Sequence, residues 1–174
     1  MAFDAESGKP RWTARVSSEV LAAPVVSENL VAVRSVDARI VGLDVADGKR
    51  RWAYQRVTPA LTLRSNVGML MVDNMVLAGF PGGKLVAING KNGAATWEAT
   101  VAVPKGATEL ERVADITSLP VADEREVCAA AYQGRVACFE LSTGTQVWAR
   151  DISSSAGLDM DKTRVYVSDD KGAV

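Results

Sequence analysis

Two cysteines, Cys128 and Cys138, and a complete lack of histidine set the limits on what chemistry this chain can do. Without histidine there is no serine–histidine hydrolase, no ordinary zinc site and no general base whose unperturbed pKa lies near neutral pH. The acidic residues of "DMDKTRVYVSDD" (Asp159, Asp161, Asp169 and Asp170) lack the glycine and terminal glutamate of an EF-hand calcium loop, and read as a polar turn beside a strand. "GFPGGK", residues 79–84, has glycines ahead of a lysine. It lacks the four-residue spacer and the following Ser/Thr of a phosphate loop, and it joins two apolar strands, so it reads as a hairpin turn. No catalytic residue, metal ligand or cofactor is expected from these side chains.

The cysteines flank a turn at Gln133-Gly134. A two-residue loop there would pair Cys128 with Phe139 and Cys138 with Ala129, leaving the sulfurs on opposite faces of the hairpin. The expectation is therefore two buried free thiols that behave as small apolar side chains, with the redox compartment left open.

The strongest pattern in the chain is structural. "FDAESGKPRW", "LDVADGKRRW", "INGKNGAATW" and "FELSTGTQVW" are variants of one phrase, and they contain all four tryptophans: Trp12, Trp52, Trp97 and Trp148. The tryptophans are 40, 45 and 51 residues apart, the period of propeller blades and other arrays. A glycine precedes each by four residues (Gly8, Gly48, Gly93 and Gly144) and supplies the positive φ of a turn opened by Asp4, Asp44, Asn89 or Glu140. One tryptophan per unit in a fixed slot is a wedge against the neighbouring unit and not a platform for stacking ligands.

Between the phrases lie short apolar strands such as "APVVS", "LVAVRS", "RIVGLD" and "RRWAYQ", separated by turn signals such as "SEN", "VDN" and "PGG". No segment has a convincing 3.6-residue period; "ATELERVADI" comes closest and is short. Four strands per 40 to 50 residues predict an all-β fold, a β-propeller of four-stranded antiparallel blades. Residues 1–16 would end one blade, 17–56, 57–101 and 102–151 would each form one, and 152–174 would begin another. That is about four blades' worth of strands, split within a blade, since "KGAV" joined to "MAFDAESGKPRW" matches "GRVACFELSTGTQVW". Either the chain belongs to a larger ring, or the split strands complete a blade, within one chain or by self-association of two arcs into an eight-bladed ring.

Hydrophobic residues make up 48% and charged residues 24%, a globular composition, and the net charge of −1 gives no reason to expect nucleic acid or an anionic membrane surface. The start "MAFDAESGKP" lacks the apolar core of a signal peptide, and no apolar run of about 18 residues could span a bilayer.

The repeated D-x-x-x-G-x-x-x-W phrase, with "KLVAI" or "RIVGL" before it, resembles the tryptophan-docking repeat of pyrroloquinoline-quinone-like propellers. Within that group "TPALTLRSN", "ATELERVADITSLPVA" and "AYQGRVACFELSTGTQVW" resemble the BamB family of outer-membrane assembly lipoproteins, along the whole chain. The resemblance implies an eight-bladed propeller of which this chain is the middle half, at the periplasmic face of the outer membrane of a Gram-negative bacterium. It implies a lipidated cysteine upstream of Met1 and a non-enzymatic scaffold bound to the periplasmic domains of BamA, the barrel-inserting subunit. Nascent outer-membrane proteins are a further implied partner.

Two connections between units are long: residues 57–65, "VTPALTLRS", and 102–116, "AVPKGATELERVADI". They flank one blade on one rim, where a propeller commonly does its work. In the first, Leu61 and Leu63 would project to one side beside Arg64, the makings of an interface hot spot. Composition alone would equally let the leucines cap the core and leave Arg64 solvated. The resemblance implies that Leu61, Leu63 and Arg64 contact BamA, together with Asp115. The family's second acidic position is Thr117 here, and Asp115 could instead cap a local turn. Two other classes remain: a fragment of a quinoprotein dehydrogenase, which would need an axial cofactor pocket and a calcium site, and a generic propeller interaction module with other partners.

Overall fold

The computed structural model describes residues 1–63 and 67–174. Every regular element in them is a short β-strand, as the alternating apolar patches predict. Strands β3 (Val25–Val26), β4 (Leu30–Arg34), β5 (Arg39–Asp44) and β6 (Arg50–Gln55) form one four-stranded antiparallel sheet in chain order. β7 (Met69–Val72), β8 (Met75–Phe80), β9 (Lys84–Asn89) and β10 (Ala95–Thr100) form a second. β11 (Val121–Ala122), β12 (Glu126–Ala130), β13 (Val136–Glu140) and β14 (Gln146–Arg150) form a third. β1 (Ala2–Phe3) pairs with β2 (Pro10–Trp12), and β15 (Gly157–Met160) with β16 (Val165–Ser168). These two pairs are separate sheets, so the split strands do not complete a blade within the chain. The first strands of successive sheets lie side by side, β3 against β7 and β11 against β15, which is the inner edge of a propeller.

The core lies between blades. Leu30, Ala32 and Ile40 of the first full sheet pack against Val76, Ala78, Phe80, Val86 and Ile88 of the second. The opposite face of that second sheet, with Leu77, Leu85 and Ala87, packs against Val127, Ala129, Ala137 and Phe139 of the third. A strand in the middle of the stack is therefore apolar on both faces and reads as a continuous run, "VLAGF" or "LVAI".

The tryptophans join the blades through one geometry used three times. Trp12 Nε1 donates to the Val45 carbonyl at 2.8 Å, Trp52 Nε1 to Gly90 at 2.8 Å and Trp97 Nε1 to Leu141 at 2.9 Å. Each acceptor directly follows the Asp, Asn or Glu that opens the next blade's turn. Gly48, Gly93 and Gly144 have φ near +70°, and a Cβ on any of them would lie within 2.4–2.7 Å of Trp12, Trp52 or Trp97 respectively. The glycine thus serves both the turn and the close approach of a ring from the preceding blade. Within its own sheet each tryptophan follows a bulged residue and stands opposite a small one: Ala2 for Trp12, Gly42 for Trp52, Ala87 for Trp97 and Cys138 for Trp148. The bulge at Arg11, Arg51, Thr96 or Val147 turns the following ring toward the neighbouring blade.

The expectation of free thiols is wrong. Cys128 and Cys138 are directly opposite in the β12–β13 ladder and form a disulfide, with Cα atoms 4.0 Å apart and both residues fully buried. The turn is longer than two residues: Ala130 pairs with Val136, and residues 131–135 close the hairpin with Gln133 at φ 49°. The longer loop shifts the register by one and brings both sulfurs to the same face. The Ala131 amide donates to the Arg135 carbonyl and the Leu141 amide to the Arg125 carbonyl, so odd-numbered pairs carry the ladder bonds. The cysteines occupy a pair without ladder bonds, where antiparallel strands come closest.

Candidate partner-binding rim

In an up-and-down sheet, alternate connections leave at opposite ends, which divides the turns of this chain between two rims. One rim carries the turns that open the tryptophan phrases. The other carries the links between blades, 56–68 and 101–120 among them, and the β4–β5, β8–β9 and β12–β13 turns. The two rims differ in character. Val57, Leu61, Leu63, Val103, Leu110 and Leu119 on the two long links are exposed, as are Leu21 on the link before β3 and Val36 in the β4–β5 turn of the same rim. Among the described residues, none of the exposed large apolar side chains lies in a turn of the opposite rim.

The two long links are tied together. Asp115 is 3% exposed, and its Oδ2 accepts the Leu63 amide at 2.7 Å while its Oδ1 accepts the Gly82 amide at 2.9 Å. One carboxylate thus binds the first link and the β8–β9 turn to the second link. The Asp115 carbonyl accepts the Tyr132 amide at 2.9 Å, and Ile116 donates back to the Phe80 carbonyl, anchoring the latch to two blades. A Cβ on Gly79 would lie 2.3 Å from Ile116, so that glycine makes room for the second link to lie across the sheet. Farther along, Thr108 and Glu111 form a capping box over a single turn: Glu111 Oε2 accepts the Ala107 and Thr108 amides, and Thr108 Oγ1 accepts the Glu111 amide. The same hydrogen bonds hold the Glu111 carboxyl below the usual range.

Of the residues singled out in the sequence, Leu61 and Leu63 are on this rim and 44% and 38% exposed. They do not cap the core. Asp115 is placed under them, buried, and works inside the chain. Thr117 is half-buried and its Oγ1 has no hydrogen-bond partner among the described residues. Arg64 lies outside the described residues.

Sequence reasoning missed Arg34. It ends β4 with its guanidinium carbon 4.9 Å from the centroid of the Phe80 ring, and burial pulls its pKa down to about 10. Its Nη1 is buried and has no hydrogen-bond partner among the described residues. Arginine at the end of an alternating strand reads as solvated, and nothing local marks it otherwise. The guanidinium lies in a cavity of about 230 Å3, opening on the rim between Leu21, the 35–38 turn and Thr58, Thr62 and Leu63.

A family profile described as outer membrane protein assembly factor BamB matches residues 1–174. The outer membrane protein assembly factor BamB of Nitrosomonas eutropha is 52% identical over 170 residues, covering 98% of this chain and 41% of that protein. The corresponding protein of Bordetella pertussis is 45% identical over 175 residues, covering 100% of this chain and 45% of its own length. The chain thus spans less than half of each. The crystal structure of BamB from Moraxella catarrhalis matches with a TM-score of 0.89 at 29% identity, over 98% of this chain and 52% of that one. A europium-containing methanol dehydrogenase has a TM-score of 0.62 at 19% identity over 74% of this chain, a likeness of fold alone.

Proposed function

The chain belongs to the BamB family of outer membrane protein assembly factors, and from that premise we propose that it is part of a non-enzymatic scaffold that binds the periplasmic domains of BamA and aids the folding and insertion of barrel proteins. Its relatives are named as assembly factors and not as enzymes. The observation that carries the reading is the one-sided rim: exposed Leu61 and Leu63 on a link whose backbone is held from beneath by Asp115. Half-exposed leucines on a fixed backbone lose little freedom on binding, which favours their use as anchors. Arg64, next in sequence, would add a charge-assisted bond that sets orientation. Asp115 contributes as a positioning residue.

The buried disulfide supports a periplasmic location, because such bonds form and persist in oxidising compartments. Attachment to the membrane would come from a lipidated N-terminus, as in the lipoproteins that the chain resembles.

Calorimetric titration of BamA periplasmic domains into the intact protein tests the reading. Leu63→Ala should weaken binding by about 1–2 kcal/mol, roughly five- to thirtyfold, with the fold unchanged. A well-folded protein that gives no heat with BamA would point to a propeller module with another partner.

A further inference from the structure

Arg34 stands apart from every other cation described in this chain. The guanidinium rests on the face of Phe80, its centre 4.9 Å from the ring centroid, and buries Nη1 with no acceptor among the described residues. Its five donors suit a planar, bidentate acceptor. The acid nearest in sequence does not supply one: Asp37 spends Oδ1 on Ser35 Oγ and on the Arg39 amide, and Oδ2 on Ser17 Oγ. A half-buried guanidinium with one nitrogen buried and unpaired is costly to keep, and something outside the chain that neutralises it would offset that cost. The cavity above it is about 230 Å3, large enough for a carboxylate side chain. Its wall also carries Asp37, already held by Ser17, Ser35 and the Arg39 amide, and the hydroxyls of Thr58 and Thr62. Leu21 and Leu63 on its lining are exposed and apolar.

We propose that this cavity receives an aspartate or glutamate side chain of the protein that docks on the rim, which pairs with Arg34 as the leucines around the mouth pack on their own partners. The proposal rests on the rim being the BamA-binding surface and adds an acceptor pocket to it, with a stated chemistry. The exposed Leu21, Val36 and Leu63 beside it argue for a protein side chain: packing on them would seal the pocket from water and strengthen the ion pair.

The test uses the intact protein, BamA periplasmic domains, and two variants. Arg34→Met keeps an unbranched chain on Phe80 and removes the charge; Arg34→Lys keeps the charge without the fork. Thermal melting and calorimetric titration are read together. Arg34→Met should melt at or above the parent, because an unpaired buried charge is gone, and bind at least tenfold more weakly. Arg34→Lys should bind at an intermediate strength. Acid-to-amide substitutions across the BamA surface should then include one that weakens binding to the parent and leaves binding to Arg34→Met unchanged. A Met variant that melts normally and binds as tightly as the parent overturns the pocket while leaving the rim in place. A Met variant that melts well below the parent shows that the guanidinium works within the chain, and also overturns it. Failure of the parent itself to bind removes the rim reading beneath it.

Discussion

The Asp115 carboxylate accepts the Leu63 amide at 2.7 Å, a bond between residues 52 apart in sequence that joins the two longest inter-blade links. Its other oxygen holds the Gly82 amide at 2.9 Å, so one buried side chain fixes the backbone of a link and of a hairpin turn together. Through this bond a residue with almost no surface of its own sets where an exposed leucine is presented.

Asp115→Asn should therefore act on stability and on binding together. An amide has one oxygen, so it can serve only one of the two backbone donors and turns its own N–H groups toward the other. Leaving a buried donor unmet costs about 1–3 kcal/mol. The melting temperature should fall, and affinity for BamA domains should fall with Leu61 and Leu63 still in place. An Asn variant that binds and melts like the parent would mean that the latch does not set the rim.

The glycines of the tryptophan phrase separate two costs. Gly8 and Gly93 have φ of +66° and +73°, but a Cβ on Gly8 meets nothing within 4 Å, whereas one on Gly93 would be 2.7 Å from Trp52. Gly8→Ala should cost only the left-handed backbone, about 1 kcal/mol. Gly93→Ala adds the clash with a buried ring, roughly 1–3 kcal/mol more. Chemical denaturation of both variants should rank them in that order; equal losses would show that the ring yields freely.

The propeller was legible because it is written redundantly. One phrase recurs at blade length, and each copy carries a turn residue, a glycine and a tryptophan whose spacing fits only one repeated unit. A further signal was present and unread: Ala2, Gly42, Ala87 and Cys138, each two residues before the turn-opening Asp, Asn or Glu, are the small residues that face the tryptophans. The cysteine register was misread because it depends on the length of one turn, and a one-residue error there reverses the face of every side chain. Leu61 and Leu63 could be picked out from loop length, but the latch and Arg34 could not. Both depend on segments brought together from different blades, Leu63 with Asp115 and Arg34 with Phe80, and no local pattern encodes such meetings.

The disulfide makes a prediction about covalent state. Protein folded under oxidising conditions and unfolded without reductant should show no reactive thiol, and two after reduction. Finding two thiols before reduction would return the cysteines to the free state. Replacing both with alanine removes a cross-link that closes a short loop and should lower stability by about 2–4 kcal/mol. The protein should keep its rim and its binding, because Cys128 and Cys138 face away from the cluster that contains Val127, Ala129 and Phe139 beneath the links.

Asp161 gives the β15–β16 hairpin a pH dependence with a defined sign. Its carboxylate accepts the Thr163 amide at 2.7 Å, the Tyr166 hydroxyl at 2.8 Å and the Arg164 amide at 2.8 Å, and these bonds, led by the Thr163 amide, pull its pKa from 3.8 down to about 2. A folded pKa below the unfolded one means that the stabilisation is fully present above about pH 4 and drains away as pH falls through about 2. The Tyr166 hydroxyl is the other half of the contact: the hydrogen bond to Asp161 raises its pKa above 10.0, so its share persists below pH 10 and is lost as pH rises through the folded value. Asp161→Asn should consequently melt below the parent at pH 7, with the gap closing between pH 4 and pH 2 as the parent's carboxylate is protonated. Amide protection at Thr163 and Arg164, measured relative to the intrinsic exchange rate at each pH, reports the same turn directly, and should fall in the parent over that interval and not in the variant. A gap that stays constant down to pH 2 would show that Asp161 supports the turn by shape and not by charge.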